Sequence, residues 1–206
     1  MDSIAFFDFE IINEKISDIG CIKNNEAIFH KNSVSSFIDF IKESKFICGH
    51  NILSHDLKYF EDYIVEAGIK LNNIIDTLYL SPLLFPAKPY HRLLKDEKLQ
   101  KAEPNNPLND SIKAKDLFFD EVAAFNVNDD LLKSIYFLLL GEKKEFKSFF
   151  EFVSFKAKYS HSELETLIVE KFDSEICSQV NLNDLIDNHQ IELAYSLALI
   201  NCNNRY

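Results

Sequence analysis

The sequence predicts an α/β fold in which a mixed five-stranded sheet is flanked by helices and followed by an all-helical C-terminal extension. Three features of the chain carry this expectation. Short apolar runs open it in close succession, runs of strand type then alternate with amphipathic helical patterns to about residue 76, and from about residue 109 the periodicity is helical throughout. Close succession implies an antiparallel meander, and alternation implies a parallel half to the sheet.

The run IAFFDFE, starting at Ile4, is apolar and aromatic like a strand buried on both faces, and ISDIGCI and EAIFH supply a second and a third. SVSSFIDFIKES opens with a capping serine and sets Phe37, Phe40 and Ile41 on one helical face; KFICG, closed by a glycine, is a fourth strand. From Ser54, residues Leu57, Phe60, Ile64 and Ala67 recur at helical spacing until Gly68, and NNIIDTL predicts a fifth strand near residues 73–76. The piece from Pro82 to Pro107 carries the prolines and predicts a long ordered loop with one helical turn, a type of segment that often holds function. Helices are expected over DSIKAKDLFFDEVAAF, DDLLKSIYFLLLG, EFKSFFEFVSFKAKY, HSELETLIVEKF and NLNDLIDNHQIELAYSLALI. The phenylalanines of EFKSFFEFVSF are assigned to packing. The expected division is a domain over residues 1–125 and a helical extension over 126–206 packed on it.

Composition narrows the function. A chain of 206 residues with 47% hydrophobic and 27% charged side chains can build a packed core, which excludes wholesale disorder. Its glycines, Gly20, Gly49, Gly68 and Gly141, stand too far apart for a G-x-G-x-x-G turn or a G-x-x-x-x-G-K loop, which excludes Rossmann cofactor binding and Walker-type hydrolysis. A net charge of -11 argues against coating nucleic acid through the whole surface field and leaves room for a local basic groove. Cys21, Cys48, Cys177 and Cys202 form no C-x-x-C pair and are read as buried thiols. With no basic-plus-apolar leader and no apolar run near the ~20 residues that span a bilayer, the expected setting is cytoplasmic, without a membrane partner.

Three sets of carboxylates are candidates for chemistry. Asp8 and Glu10 lie two apart in the first strand and so share a face of the sheet. Burying both is costly; a solvated strand end avoids that cost, and a divalent cation offsets it, because hard oxygen ligands on a rigid strand suit magnesium or manganese. In CGHNILSHDLKYF, Asp56 stands at the first turn of a helix, where an acid also simply suits the helix dipole. His50 and His55 do not form H-E-x-x-H, so a zinc site is disfavoured. In NNPLNDSIKAKDLF, Asp110 starts a helix and equally fits a plain N-cap.

The order of these features, D-x-E on strand one, G-H-N and then Asp before a helix, and Asp opening a later helix, resembles the DEDD family of 3′-to-5′ exonucleases. That family is the DnaQ-like branch of the ribonuclease-H-like superfamily, and FFDFE, GHNILSHD and NPLNDSIKAKDLF stand for its three motifs over about residues 3–120. The resemblance implies a ribonuclease-H-like sheet and a two-ion site, magnesium or manganese, held by Asp8, Glu10, Asp56 and Asp110, with the ions about 4 Å apart. The run IDTLYLSPLLFPAKPYHRLLKDEKL with NNPLND is similar to the N-terminal region of large Bacteroidetes RecQ-type helicases. This implies a helicase domain in cis and single-stranded DNA 3′ ends as substrate, and the ending NCNNRY, directly after an apolar helix, is compatible with a domain edge.

Two departures from the family pattern bear on activity. Relatives place a histidine five residues, or a tyrosine four residues, before the final aspartate as proton acceptor; here Asn105 and Asn106 stand there. An amide holds water but takes no proton at neutral pH, so a nearby histidine (His91 or His55) substitutes, or the water ionises without a protein base, or the domain is a catalytically weak binding module. Ile11 follows Glu10 where relatives commonly carry a threonine that contacts the terminal nucleotide. Lys88, Arg92, Lys95, Lys98, Lys101, Lys113 and Lys115 concentrate positive charge in the proline-bearing loop and the next helix; this is either a solvated loop or a phosphate contact with Tyr90 stacking on a base. Asn51, Tyr90, Arg92 and Lys113 are the candidate nucleic-acid contacts.

Overall fold

A computed structural model describes residues 3–66, 68–93 and 106–203. The chain forms two compact units, one of Met1–Tyr79 with Tyr90–Asp120, the other of Leu80–Pro89 with Glu121–Tyr206. The chain passes between the units after Tyr79, after Pro89 and after Asp120.

The first unit is built on a sheet of order β3-β2-β1-β4-β5, in agreement with the ribonuclease-H-like arrangement expected. β1 (Ile4–Ile12) and β2 (Lys15–Lys23) are antiparallel and joined at Asn13 and Glu14, whose φ values of 50° and 62° make the primed two-residue turn that matches strand twist. β3 (Ile28–His30) extends the antiparallel edge, and β4 (Phe46–Gly49) and β5 (Ile74–Asp76) run parallel to β1 on its other side. The chain therefore leaves β1 to one side and later resumes on the other, so the carboxyl ends of β1 and β4 flank a switch point of the kind where α/β sheets bind ligands.

Alternation along β1 divides its side chains between two layers. Phe7 and Phe9 pack with Phe37 of α1 (Val34–Ile41) and with Phe60, at centroid separations of 4.9 to 5.5 Å. Phe6 faces the opposite side, against Phe118 and Phe119 of α4 (Pro107–Asn126) at 5.6 and 5.7 Å. Asp8 and Glu10 share the face of Phe6. Burial of each phenylalanine is worth about 1.5–3 kcal/mol, which lets β1 keep a desolvated aspartate between aromatic anchors. Ser33 caps α1 by accepting from the Ser36 N–H.

Several expectations need correction. The pattern from Ser54 to Gly68 is two short pieces, a 3₁₀ turn at Leu57–Tyr59 and α2 (Glu61–Glu66), because Phe60 leaves helical geometry (φ −141°) as its ring enters the Phe7–Phe9–Phe37 cluster; Ala67 lies outside the described residues. The loop expected from Pro82 is helical at its start. α3 (Thr77–Leu84) runs through Pro82, and the buried Leu80 and Leu83 outweigh the hydrogen bond that the proline removes.

In the second unit α5 (Asp130–Leu140) packs on α7 (Leu164–Phe172) and α9 (Gln190–Asn203). α6 is confined to Lys147–Phe152 and α8 (Leu182–Asn188) is separated from α9 at His189. Phe149 and Phe150 meet Phe125 edge-on at 5.3 and 5.8 Å, so the phenylalanine-rich stretch is packing, as expected. Cys21 and Cys48 are buried thiols, whereas Cys177 is exposed and Cys202 half-buried, because Cys177 falls in a turn outside the helical periodicity. Among the described residues no helix is long and apolar enough to cross a membrane.

Candidate active site

The start of α4 meets the sheet beside Asp8. Gly20 of β2 is the cross-strand partner of Asp8, and a Cβ on it would overlap the backbone of Pro107 and Leu108. Directly opposed residues point to one face, so the missing side chain of Gly20 is what admits the helix start on the Asp8 side. Asn106 caps that helix: its Oδ1 accepts from the N–H of Leu108 at 3.0 Å and of Asn109 at 3.4 Å. Asp110 is therefore an acid of the first turn and not the cap, with Lys113 Nζ 3.6 Å from its Oδ1. The β1–β2 register shifts just after the D-x-E pair, with Ser17 of β2 as the extra residue between the partners of Glu10 and Ile11, and the Ser17 hydroxyl donates to the Glu10 carbonyl at 2.9 Å.

Asp56 arrives on the loop after β4. Gly49 has no room for a side chain, since a Cβ would stand 2.7 Å from the Phe7 carbonyl and against Ile52. Asn51 takes a left-handed φ of 64°, Ile52 is fully buried, and the Asp56 N–H bonds the Ile52 carbonyl at 3.2 Å. This turn is held from β5: Asp76, fully buried, accepts from the N–H of Asn51 (2.7 Å) and Leu78 (3.0 Å) at Oδ1 and of Leu53 (3.0 Å) at Oδ2. Burial pushes the Asp76 carboxyl up from its ordinary range, and these amides pull it back.

Next to it, the Thr77 hydroxyl donates to the Gly49 carbonyl at 3.3 Å and stands 2.9 Å from His50 Nδ1. One hydroxyl has one proton, so His50 Nδ1–H is the donor to Thr77, and Nε2 is left as an acceptor. Burial, and then the charge of His91, push His50 down to about 4, which keeps the ring neutral at physiological pH.

The electrostatics bind the four predicted acids into one group. Asp8 is raised to about 8, first by burial and then by the charges of Asp56, Asp110 and Glu10. Asp56, only 3% exposed, is raised to about 6 by burial, with opposition from His55 and reinforcement from Asp76 and Glu10. Asp8, Glu10, Asp56 and Asp110 thus converge from β1, the β4 loop and α4. Among the described residues no three His, Cys, Asp or Glu side chains stand at metal-holding distances. The donor chemistry nevertheless suits a hard divalent cation: carboxylate oxygens on rigid elements, two of them desolvated and under mutual repulsion that a cation relieves.

His55 Nδ1 is 3.3 Å from Asp56 Oδ1, and His91 lies within electrostatic reach of His50. Tyr90 is 64% exposed, with the Arg92 guanidinium 5.5 Å from its ring centre. Lys113 is held toward Asp110, and Lys115 is paired with Glu26 at 2.6 Å, which ties it to the β2–β3 turn. Lys88 stacks on Phe85 at 4.1 Å. Lys95, Lys98, Lys101 and Asn105 lie outside the described residues.

Sequence reasoning passed over Gly20 and Asp76. A lone glycine inside a strand opposite Asp8 signals close backbone approach, and an acid ending the apolar run IID signals a buried carboxylate with amide partners. Comparison with known proteins identifies no relative: no family model, no curated protein and no solved structure matches this chain.

Proposed function

We propose that this chain is a 3′-to-5′ exonuclease domain that hydrolyses phosphodiester bonds at DNA 3′ ends, joined in cis to a helicase domain and acting in the cytoplasm. The observation that carries the reading is the convergence of Asp8, Glu10, Asp56 and Asp110, with Asp8 held up to about 8 by burial and by the other three acids. Two magnesium or manganese ions, held by those four side chains, would supply charge stabilisation at the phosphoryl centre. The protein's own part is to fix the carboxylates on β1, the β4 loop and α4, and to keep water away from Asp56 through burial. Tyr90 offers a face for a terminal base and Arg92 a charge for a phosphate, while His55, beside Asp56, is placed to accept a proton. The choice of DNA, the single-stranded ends and the helicase partner rest on the sequence resemblance alone.

A second reading, a catalytically weak DNA-binding module of the helicase, is favoured by Asn106: its amide is engaged as the α4 cap and is no proton acceptor. Digestion of end-labelled single-stranded DNA with manganese separates the two. Stepwise shortening that disappears in Asp8→Ala and Asp110→Ala supports the exonuclease. Undiminished DNA binding with no shortening in any divalent metal refutes it and leaves the module.

A further inference from the structure

The β4 loop that carries Asp56 is closed locally by backbone hydrogen bonds from His55 to Asn51 and from Asp56 and Leu57 to Ile52, and it is tied to the sheet from outside. It begins at a glycine, passes through a left-handed Asn51, and reaches Asp56 before the 3₁₀ turn that follows. Outside ties are the buried Ile52 side chain, the contacts of Thr77 with Gly49 and His50, the contact of Ser54 with Tyr79, and the hydrogen bonds to β5. The bonds to β5 converge on one carboxylate. Asp76 is the last residue of β5 and the register partner of Gly49, so it sits directly under the point where the loop leaves the sheet.

We propose that Asp76 is a positioning residue for the carboxylate site: its buried carboxylate holds the Asn51 and Leu53 amides and thereby sets where Asp56 stands. The inference rests on the metal-dependent reading above and adds a residue that the motif pattern does not contain. The donor pattern requires an acid at this position. Both oxygens of Asp76 receive backbone N–H groups, two at Oδ1 and one at Oδ2. An asparagine presents an amide N–H₂ to at least one of these donors, so one contact becomes a donor facing a donor and the loop is released on that side. The third amide, that of Leu78, belongs to α3, so the same carboxylate also fixes the turn from β5 into the helix.

The test is Mn²⁺ binding to the intact chain, read from the loss of the free-ion paramagnetic resonance signal, for wild type, Asp76→Asn, Asp56→Asn, the double variant, and Ile75→Val as a control that trims the same buried strand without touching the loop. The expected result is a tenfold or larger weakening in Asp76→Asn, less than twofold in Ile75→Val, and no further loss when Asp76→Asn is added to Asp56→Asn, because the effect passes through Asp56. Wild-type affinity in Asp76→Asn overturns the positioning role and leaves the metal-dependent reading intact, and an additive double variant does the same. Absence of Mn²⁺ binding in the wild type overturns both. If Asp76→Asn does not fold, amide exchange in the wild type decides: slow exchange at Asn51 and Leu53, comparable with β4, supports the role, and exchange at open-loop rates overturns it.

Discussion

The backbone of Leu108 occupies the space into which a side chain on Gly20 would project, and Gly20 is the β2 residue directly opposite Asp8. The final acid of the site, Asp110, is therefore located by a residue that has no side chain. Gly20→Ala is expected to destabilise the protein by about 3 kcal/mol, since the obstacle is main chain and not a rotatable side chain, lowering Tm by roughly 6–12 °C. It is also expected to weaken Mn²⁺ binding by displacing the start of α4. Thermal unfolding beside a metal titration checks this; an unchanged Tm means that the helix does not rest on Gly20.

Asp8 makes the metal-free protein sensitive to pH. Its folded carboxyl holds a proton up to about 8, whereas an unfolded aspartate releases it at about 3.9, so the native state binds more protons between those values. Stability should accordingly fall as pH rises through that window, with Asp56, raised to about 6, adding in the same direction at its lower end. In chelator-containing buffer, Tm is expected to be higher at pH 5.5 than at pH 8 in the wild type, and the difference should shrink in Asp8→Asn. At pH 8 without metal, Asp8→Asn should be the more stable protein, and with Mn²⁺ the less stabilised one. A wild-type Tm that climbs from pH 5.5 to 8 would contradict this.

Asn106 acts as a cap, and its replacements should sort accordingly. Asn106→Ala is expected to lose about 1 kcal/mol of stability, while Asn106→Asp and Asn106→Ser stay within about 0.5 kcal/mol of wild type, because each retains an oxygen acceptor for the Leu108 and Asn109 amides. Chemical denaturation of the three variants measures it. Equal destabilisation by all three would show that the side chain does something other than cap.

Of the two candidate replacement bases, His55 adjoins a carboxylate of the site, and His91 lies nearer to His50. His55→Ala is expected to slow digestion by about 10²-fold or more with Mn²⁺ affinity preserved, and His91→Ala to slow it less. Single-turnover rates at saturating metal provide the comparison. Undiminished rates in both variants would leave the water to ionise without a protein base.

Much of the first unit was legible in the chain. Short apolar runs marked all five strands and helical spacing marked α1, and the two-residue separation of Asp8 and Glu10 put them on one face of β1, because alternation is a property of the backbone itself. The order of the four acids along the chain suggested reading them together, and the charges of Asp56, Asp110 and Glu10 do act on Asp8. Patterning failed where burial overrode a local signal: Pro82 announced a loop and lies in α3, and Phe60 fitted a helix yet breaks it to fill an aromatic cluster.

Residue identities along the chain were enough to establish strand faces, helix caps such as Ser33, and the distance in sequence between Asp8 and Asp110. They did not establish that those acids meet, that Asn106 is taken up as a cap, or that Asp76 grips the loop of Asp56. Periodicity reports which way a side chain points from its own element. Convergence depends on how elements far apart in sequence are brought together, and here that is governed by a bare glycine beside Asp8 and a buried carboxylate at the end of β5, neither of which repeats with any period.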